Sequence, residues 1–150
     1  MIDGENGLKS SDFKKIRRLA VQFIYQQDVN QQFVMQKQVL DQFMKQFEVP
    51  DYQKEFLMSI LSSLFQALSK IDELIEKNAK NWKISRIARV DLAVLRVATI
   101  ELLERQSTDV GVIISEAACI AQEYGAANSA GFVNGILDAI AKTVRKNELT

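Results

Sequence analysis

The chain has no histidine, one cysteine and one proline in 150 residues, and these scarcities exclude several kinds of site. Without histidine it lacks the commonest general base and the commonest transition-metal ligand. The lone Cys119 cannot form an internal disulfide, and it leaves a structural zinc site almost without suitable ligands. Glycine-rich nucleotide-binding motifs and the serine-nucleophile motif are missing too. We therefore expect no enzyme activity, no metal and no cofactor.

Long apolar runs are also missing, and neither sign of charge is in excess. No stretch approaches the roughly 20 apolar residues that cross a bilayer, and the polar opening MIDGENGLKSSD is unlike a signal peptide. A cytoplasmic protein without membrane contact is expected. Because 19 basic residues balance 19 acidic ones, any RNA-binding surface must come from local clustering of charge.

What the chain does contain favours helices around one core. Hydrophobic residues make up 47 % of the sequence, and breakers are few, with six glycines and one proline. Apolar residues recur at helical spacing, which predicts an all-α, compact single-domain bundle of six or seven helices over 11–150, after a flexible arm at 1–10. The predicted helices cover 11–28, 39–47, 51–77 (as one helix or two), 85–105, 112–124 and a last helix that Asn128 or Ser129 caps.

Several single residues carry structural predictions. Gly125 suits a left-handed cap at the end of a helix, and Trp82 is expected to anchor helices to each other. Cys119 is predicted to fill a small buried or half-buried space. Gly131 and Gly135 lie one turn apart, where another backbone or a nucleotide could approach closely.

Basic residues gather at the start of the first helix. Between residues 9 and 26 there are five basic residues and one acid, a local excess of four positive charges. Helical spacing places Lys14, Arg18 and Gln22 on one side, where they can neutralise phosphates. Basic residues at a helix N-terminus oppose the macrodipole, which favours a functional reason over a merely solvated face. The cluster consists of Lys14, Lys15, Arg17 and Arg18.

Three segments resemble the NusB family of transcription antitermination factors: KKIRRLAVQFIYQ, WKISRI and GAANSAGFVNG. The resemblance covers nearly all of 12–145 and is strongest over 81–142. It implies a small all-helical protein that binds single-stranded boxA-type RNA through the first helix, with Gln22 in register with the family motif. Lysines stand at two family arginine positions; they keep the charge and lose the planar fork of the guanidinium.

Other candidate RNA contacts lie further along the chain. Arg86 matches a family arginine. It belongs to a series with a basic residue at every third position over 77–89, and this spiral suits a solvated surface somewhat better than an RNA contact. Asn128 and Ser129 stand at a helix N-terminus, where free N–H groups can meet a phosphate. Phe132 could stack on a base, although its place in an apolar stripe favours the core.

The resemblance also implies protein partners. Tyr25 and Asp91 would contact the ribosomal protein NusE, in a complex that keeps RNA polymerase transcribing ribosomal RNA operons. For Asp91, a salt bridge or a capping role is the structural alternative. Two other functions stay open: an accessory RNA-binding domain of an RNA methyltransferase, and a helical protein-interaction module without RNA binding. The apolar surface also leaves a homodimer open.

Overall fold

The computed structural model describes residues 7–80 and 82–145, which form seven α-helices and no β-strand. The all-α prediction is confirmed. Of the predicted arm, residues 1–6 lie outside the described part, and Ser10 already belongs to the first helix. None of these helices is both long and apolar enough to cross a membrane. The helices are α1 (Ser10–Val29), α2 (Lys37–Gln46), α3 (Asp51–Gln66), α4 (Leu68–Asn78), α5 (Arg89–Glu104), α6 (Val110–Tyr124) and α7 (Ser129–Val144).

One boundary differs from the prediction, and one open alternative is decided. The long apolar stripe over 51–77, predicted as one helix or two, is two helices, because the backbone at Ala67 departs from α-helical geometry (φ −102°, ψ 12°). Helix α5 begins at Arg89 rather than near residue 85, because Ile84–Arg86 form a 3-10 turn and Ala88 is extended (ψ 137°). The other boundaries lie within about two residues of those predicted, which is the usual fraying of helix ends.

Helix α5 forms the centre of the bundle. Every residue from Asp91 to Leu102 is buried, and the helix packs against α1, α3, α4, α6 and α7. This agrees with the nearly unbroken apolar sequence of this helix, which must be covered on most sides. Each fully buried large apolar side chain contributes roughly 1.5–3 kcal/mol. The central helix therefore fixes the positions of α1 and α6, which carry the candidate site.

Arg17 and Arg105 enter this core and are paired there. The Nε of Arg17 lies 2.8 Å from Glu101 Oε2, and Arg105 bonds the other carboxylate oxygen. The Arg105 guanidinium also lies 4.1 Å from the centroid of the Phe13 ring. Pairing is required here because an isolated buried charge costs several kcal/mol. The cluster fixes the rotation of α1 against α5.

A second ionic group joins α5 to α4 and α1. Arg96 donates two hydrogen bonds of 2.9 Å to the carboxylate of Asp72 in α4. Asp28, near the end of α1, accepts from Arg89 at 3.1 Å. Both ends of the α1–α5 contact are thereby held by ion pairs.

The last described residue closes the bundle. Arg145 is buried and donates to the main-chain carbonyls of Leu102 at 2.7 Å, Arg105 at 2.6 Å and Thr108 at 2.9 Å. Carbonyls at the end of a helix lack partners within that helix, and a cation there is favoured by the helix dipole. Arg145 therefore caps α5 and holds the turn that leads to α6.

Three local predictions are corrected. Gly125 is extended (φ −100°, ψ −165°) rather than left-handed. Glycine is needed there for space, because a Cβ would lie 2.6 Å from Ser129 Oγ and 2.7 Å from the Ala121 carbonyl oxygen. Cys119 is exposed and does not fill the interior, because it lies on the outer side of α6. Trp82, the predicted anchor, is about half exposed and so packs less fully than predicted, although its ring meets that of Phe132 in α7.

Candidate nucleic-acid interface

Helix α1 has a basic outer side because its apolar residues turn inward. Ile16, Ala20 and Phe23 are almost fully buried. The polar residues that helical spacing placed on the other side are exposed, apart from a half-buried arginine. Within the described residues, no three acidic or cysteine side chains gather as a metal-binding group. The outer residues, which we call the α1 basic face, are Lys14, Lys15, Arg18 and Gln22.

The start of α1 is held by Asp12. Its carboxylate accepts the backbone N–H of Lys9 at 2.8 Å, the hydroxyl of Tyr52 at 3.0 Å and the amide of Gln53 at 2.9 Å. The Lys9 N–H bond, aided by the two side chains, lowers the pKa of Asp12 against the opposing effect of burial. This acid therefore orders the first turn, directly beside the α1 basic face, and ties it to α3.

Two acids of α6 meet the α1 basic face. Lys14 Nζ lies 3.6 Å from Glu116 Oε1, and Arg18 Nη2 lies 2.9 Å from Glu123 Oε2. No role is predicted for these glutamates from the sequence. Their seven-residue separation, two helical turns, was the available signal, since it places both on one side of α6. The acids reduce the net charge of the surface that the basic cluster forms.

A groove of about 360 Å³ adjoins this surface. Tyr25 from α1 and Tyr124 from the end of α6 line it and are 37 % and 57 % exposed. Glu123 raises the pKa of Tyr124 chiefly by accepting a hydrogen bond from its hydroxyl. Glu123 also raises the pKa of Arg18, chiefly by accepting hydrogen bonds from the guanidinium. Aromatic rings beside cationic and amide groups are the combination that unstacked nucleotides prefer. The full lining is Arg18, Val21, Gln22, Tyr25, Val90 and Tyr124.

Arg17 does not belong to the α1 basic face. The residue is only 5 % exposed, and its guanidinium pairs with Glu101 inside the bundle. Its place on the inward side of α1 explains the difference, because the next residue along a helix points about 100° away. The prediction that Arg17 contacts RNA is therefore corrected to a structural role.

The predicted RNA contacts at the start of α7 differ in their exposure to solvent. Asn128 is exposed before the helix, whereas Ser129 is 2 % exposed and its hydroxyl accepts the backbone N–H of Ala126 at 2.9 Å. Because its hydroxyl is engaged in this turn, the prediction that Ser129 binds a phosphate is corrected to a structural role. Phe132 is half-buried and meets the ring of Trp82 edge to face, with centroids 6.0 Å apart.

The two glycines of this segment have open space around them. A Cβ at Gly131 or Gly135 would meet nothing within 4 Å apart from its own helix backbone. No other described part of the chain approaches these glycines closely, and the approach of a nucleotide stays a prediction.

Arg86 lies in the 3-10 turn and is exposed, far along the chain from the α1 basic face. The basic residues around it are exposed as well, and several border an open cleft of about 730 Å³. Acids from α4 share that cleft, so its charge is mixed. Arg89, the last basic residue of this series, instead forms an ion pair with Asp28.

The two predicted partner contacts have different surroundings. Tyr25 is accessible at the edge of the groove. Asp91 is 7 % exposed, and its Oδ1 has no hydrogen-bond donor among the described residues. A buried carboxylate on the central helix offers little surface to a docking protein. The prediction that Asp91 contacts NusE directly is therefore corrected.

Comparison with known proteins agrees with this architecture. A NusB family model matches residues 14–142. The transcription antitermination protein NusB of Acetivibrio thermocellus is 32 % identical over 126 residues, which span 84 % of this chain and 86 % of that protein. The corresponding protein of Syntrophotalea carbinolica is 47 % identical over 92 residues, 61 % of this chain and 59 % of that relative.

Solved structures extend the agreement to the fold. A structure of T. maritima NusB, 32 % identical, superposes with a TM-score of 0.83 and covers 95 % of this chain and 99 % of its own. A solved complex of antitermination factors NusB and NusE with double-stranded RNA is 21 % identical and superposes with a TM-score of 0.78, over 90 % of this chain and 99 % of that one. At this identity the similarity shows the fold alone. Taken with the matched family model, these similarities confirm the resemblance seen in the sequence: the chain belongs to the NusB family.

Proposed function

We propose that this protein is an RNA-binding transcription antitermination factor that acts with the ribosomal protein NusE in the cytoplasm. In that role it would bind boxA-type RNA and join the complex that keeps RNA polymerase transcribing ribosomal RNA operons. The names of its relatives and the NusB–NusE–RNA complex of the same fold support the proposal. The proposed role is binding without covalent chemistry: basic side chains neutralise RNA phosphates, and NusE docks on the protein.

The observation that carries the proposal is the α1 basic face beside the tyrosine-lined groove. Lys14 and Lys15 are exposed, and Gln22 offers both a donor and an acceptor to a base edge. Because α1 packs on the buried α5, these groups are held on a rigid support. Phosphate contacts would supply affinity, and the groove would take an unstacked base.

Tyr25 is the proposed start of the NusE contact. One turn further along α1 lies Val29, and the following loop exposes Phe33 and Val34. Neighbouring exposed apolar side chains of this kind mark protein-binding surfaces. The surface would therefore extend from the groove toward the loop between α1 and α2, next to the RNA.

A fluorescence-anisotropy titration tests the proposal. Labelled boxA-like RNA and a scrambled RNA are titrated at several salt concentrations, with and without NusE. The triple variant Lys14→Ala/Lys15→Ala/Arg18→Ala should lose affinity for both RNAs, and its salt slope should fall by roughly 0.7 for each phosphate contact removed. A matched control, Lys37→Ala/Lys45→Ala/Lys70→Ala, removes three exposed charges from α2 and α4 and should bind nearly as the parent does.

The whole proposal is supported if the parent binds boxA-like RNA more tightly than scrambled RNA, if NusE increases this preference, and if the triple variant loses the binding. Equal binding to both RNAs, unchanged by NusE, would rule out the antitermination role. The alternative of a protein-interaction module without RNA binding is favoured by the glutamates that already neutralise Lys14 and Arg18. This alternative requires that the triple variant keep its affinity for NusE and that neither the parent nor the triple variant bind RNA.

A further inference from the structure

Arg18, the arginine of the α1 basic face, is already occupied. Both its Nη2 and its Nε reach one oxygen of Glu123, Oε2, at 2.9 Å and 3.3 Å. A guanidinium binds carboxylates and phosphates through the same N–H groups. A phosphate that approached Arg18 would therefore have to displace or share these donors with the Glu123 carboxylate.

Glu123 is prepared to stay charged in this position. The hydrogen bond from Arg18, followed by that from Tyr124, holds the pKa of Glu123 below its usual value. The residue lies between an arginine and a tyrosine that both line the groove. A fixed negative charge thus stands at the point where the cationic surface meets the groove.

We infer that Glu123 is an intramolecular competitor of RNA phosphate for Arg18, and that it lowers the affinity of the RNA site until phosphate releases it. The inference rests on the proposed function. It names Glu123 as a positioning residue that holds the Arg18 side chain against α6 in the free protein.

The alternative, that this pair mainly stabilises the fold, fits the surroundings less well. Both side chains are solvent-accessible, and exposed ion pairs contribute little to stability. The α1 and α6 helices are already positioned by their separate packing on α5. Lys14 and Glu116 form a longer contact of the same kind at 3.6 Å, so a weaker competition is expected there.

The test is a double-mutant cycle with Glu123→Gln, Arg18→Ala and the double variant, measured by anisotropy with the same RNA. Glu123→Gln should tighten binding by about two- to fivefold, the range expected for one exposed ion pair. In the Arg18→Ala background the same substitution should change affinity much less, because the group being released is absent. Asp41→Asn, which removes one exposed carboxylate from α2, controls for overall charge and should change little.

Each outcome has a distinct meaning. An equal gain in both backgrounds would show general repulsion of RNA by Glu123 and would overturn the competition. An unchanged affinity in Glu123→Gln, with the parent still binding RNA through the α1 basic face, would overturn the inference and leave the proposed function standing. If neither the parent nor Glu123→Gln binds RNA, the proposed function fails and the inference fails with it.

Discussion

Arg17 and Arg18 are neighbours in the sequence and have opposite surroundings. Arg17 turns into the bundle and pairs with Glu101, which also bonds Arg105, so all three charges are shielded from water. Arg18 turns outward and pairs with Glu123 where water reaches both side chains. A buried pair cannot lose one member without leaving a charge uncompensated, whereas an exposed pair can exchange its partner. The inner pair therefore suits a structural role and the outer pair a binding role.

The largest effect is expected from Glu101→Gln. The substitution leaves the guanidinium groups of Arg17 and Arg105 buried without a counter-charge, so the free energy of unfolding should fall by about 3–5 kcal/mol. Urea denaturation followed by circular dichroism measures it. Glu55→Gln, at an exposed position on α3, is the matched control. A loss below about 1 kcal/mol would mean that the inner cluster is as replaceable as an exposed pair.

The next effect concerns Arg145, another buried arginine. Arg145→Ala removes hydrogen bonds to the main-chain carbonyls of Glu101, Leu102, Arg105 and Thr108, and it should lower the free energy of unfolding by about 2–3 kcal/mol. Arg145→Lys should recover only part of this loss, because an ammonium cannot reproduce the planar fork. Full recovery of the free energy of unfolding in Arg145→Lys would show that charge alone, rather than the guanidinium geometry, stabilises the end of α5.

A smaller effect is expected from the pH dependence of Asp12. The pKa of Asp12 is lowered in the folded state, so its stabilising contribution is complete above the ordinary pKa of an aspartate. The contribution disappears as pH falls through the lower folded-state pKa. Asp12→Asn should therefore reduce stability at neutral pH and flatten the loss of thermal stability in acid. Asp41→Asn should keep the parental slope, and identical slopes in all three proteins would contradict the assignment.

The smallest effect on stability is expected from Arg18→Ala. Because its partner is exposed, the urea midpoint should stay close to that of the parent, in contrast to a clear fall in Arg17→Ala. This pair of neighbouring substitutions compares the two sides of α1 directly. Comparable losses in both variants would abolish the distinction between an inner structural arginine and an outer binding one.

The fold was largely predictable because its signals are local. Apolar spacing located all of the long helices, and the unbroken apolar run of α5 correctly indicated burial on most sides. The break at Ala67 and the turn before Arg89 were harder, because the hydrophobic pattern continues across both places. Sequence periodicity reports which side is apolar and only weakly where the backbone changes direction.

The candidate site was predictable only in part. Helical spacing correctly grouped Lys14, Arg18 and Gln22, but it could not identify Glu123, which is distant in sequence. The burial of Arg17 depends on a carboxylate 84 residues away, and such long-range pairing leaves no local signal. Charge counting over residues 9–26 consequently overestimated the free positive charge.

The burial of α5 has a consequence for the energetics of binding. Amides in a helix enclosed by five others exchange with solvent only through near-global opening, so the helix should belong to the slowest-exchanging unit of the chain. Since α1 and α6 both rest on α5, the backbone beneath the α1 basic face cannot loosen independently. Binding at that surface would then cost little backbone ordering, and the entropy lost would come mainly from side chains and from the ligand.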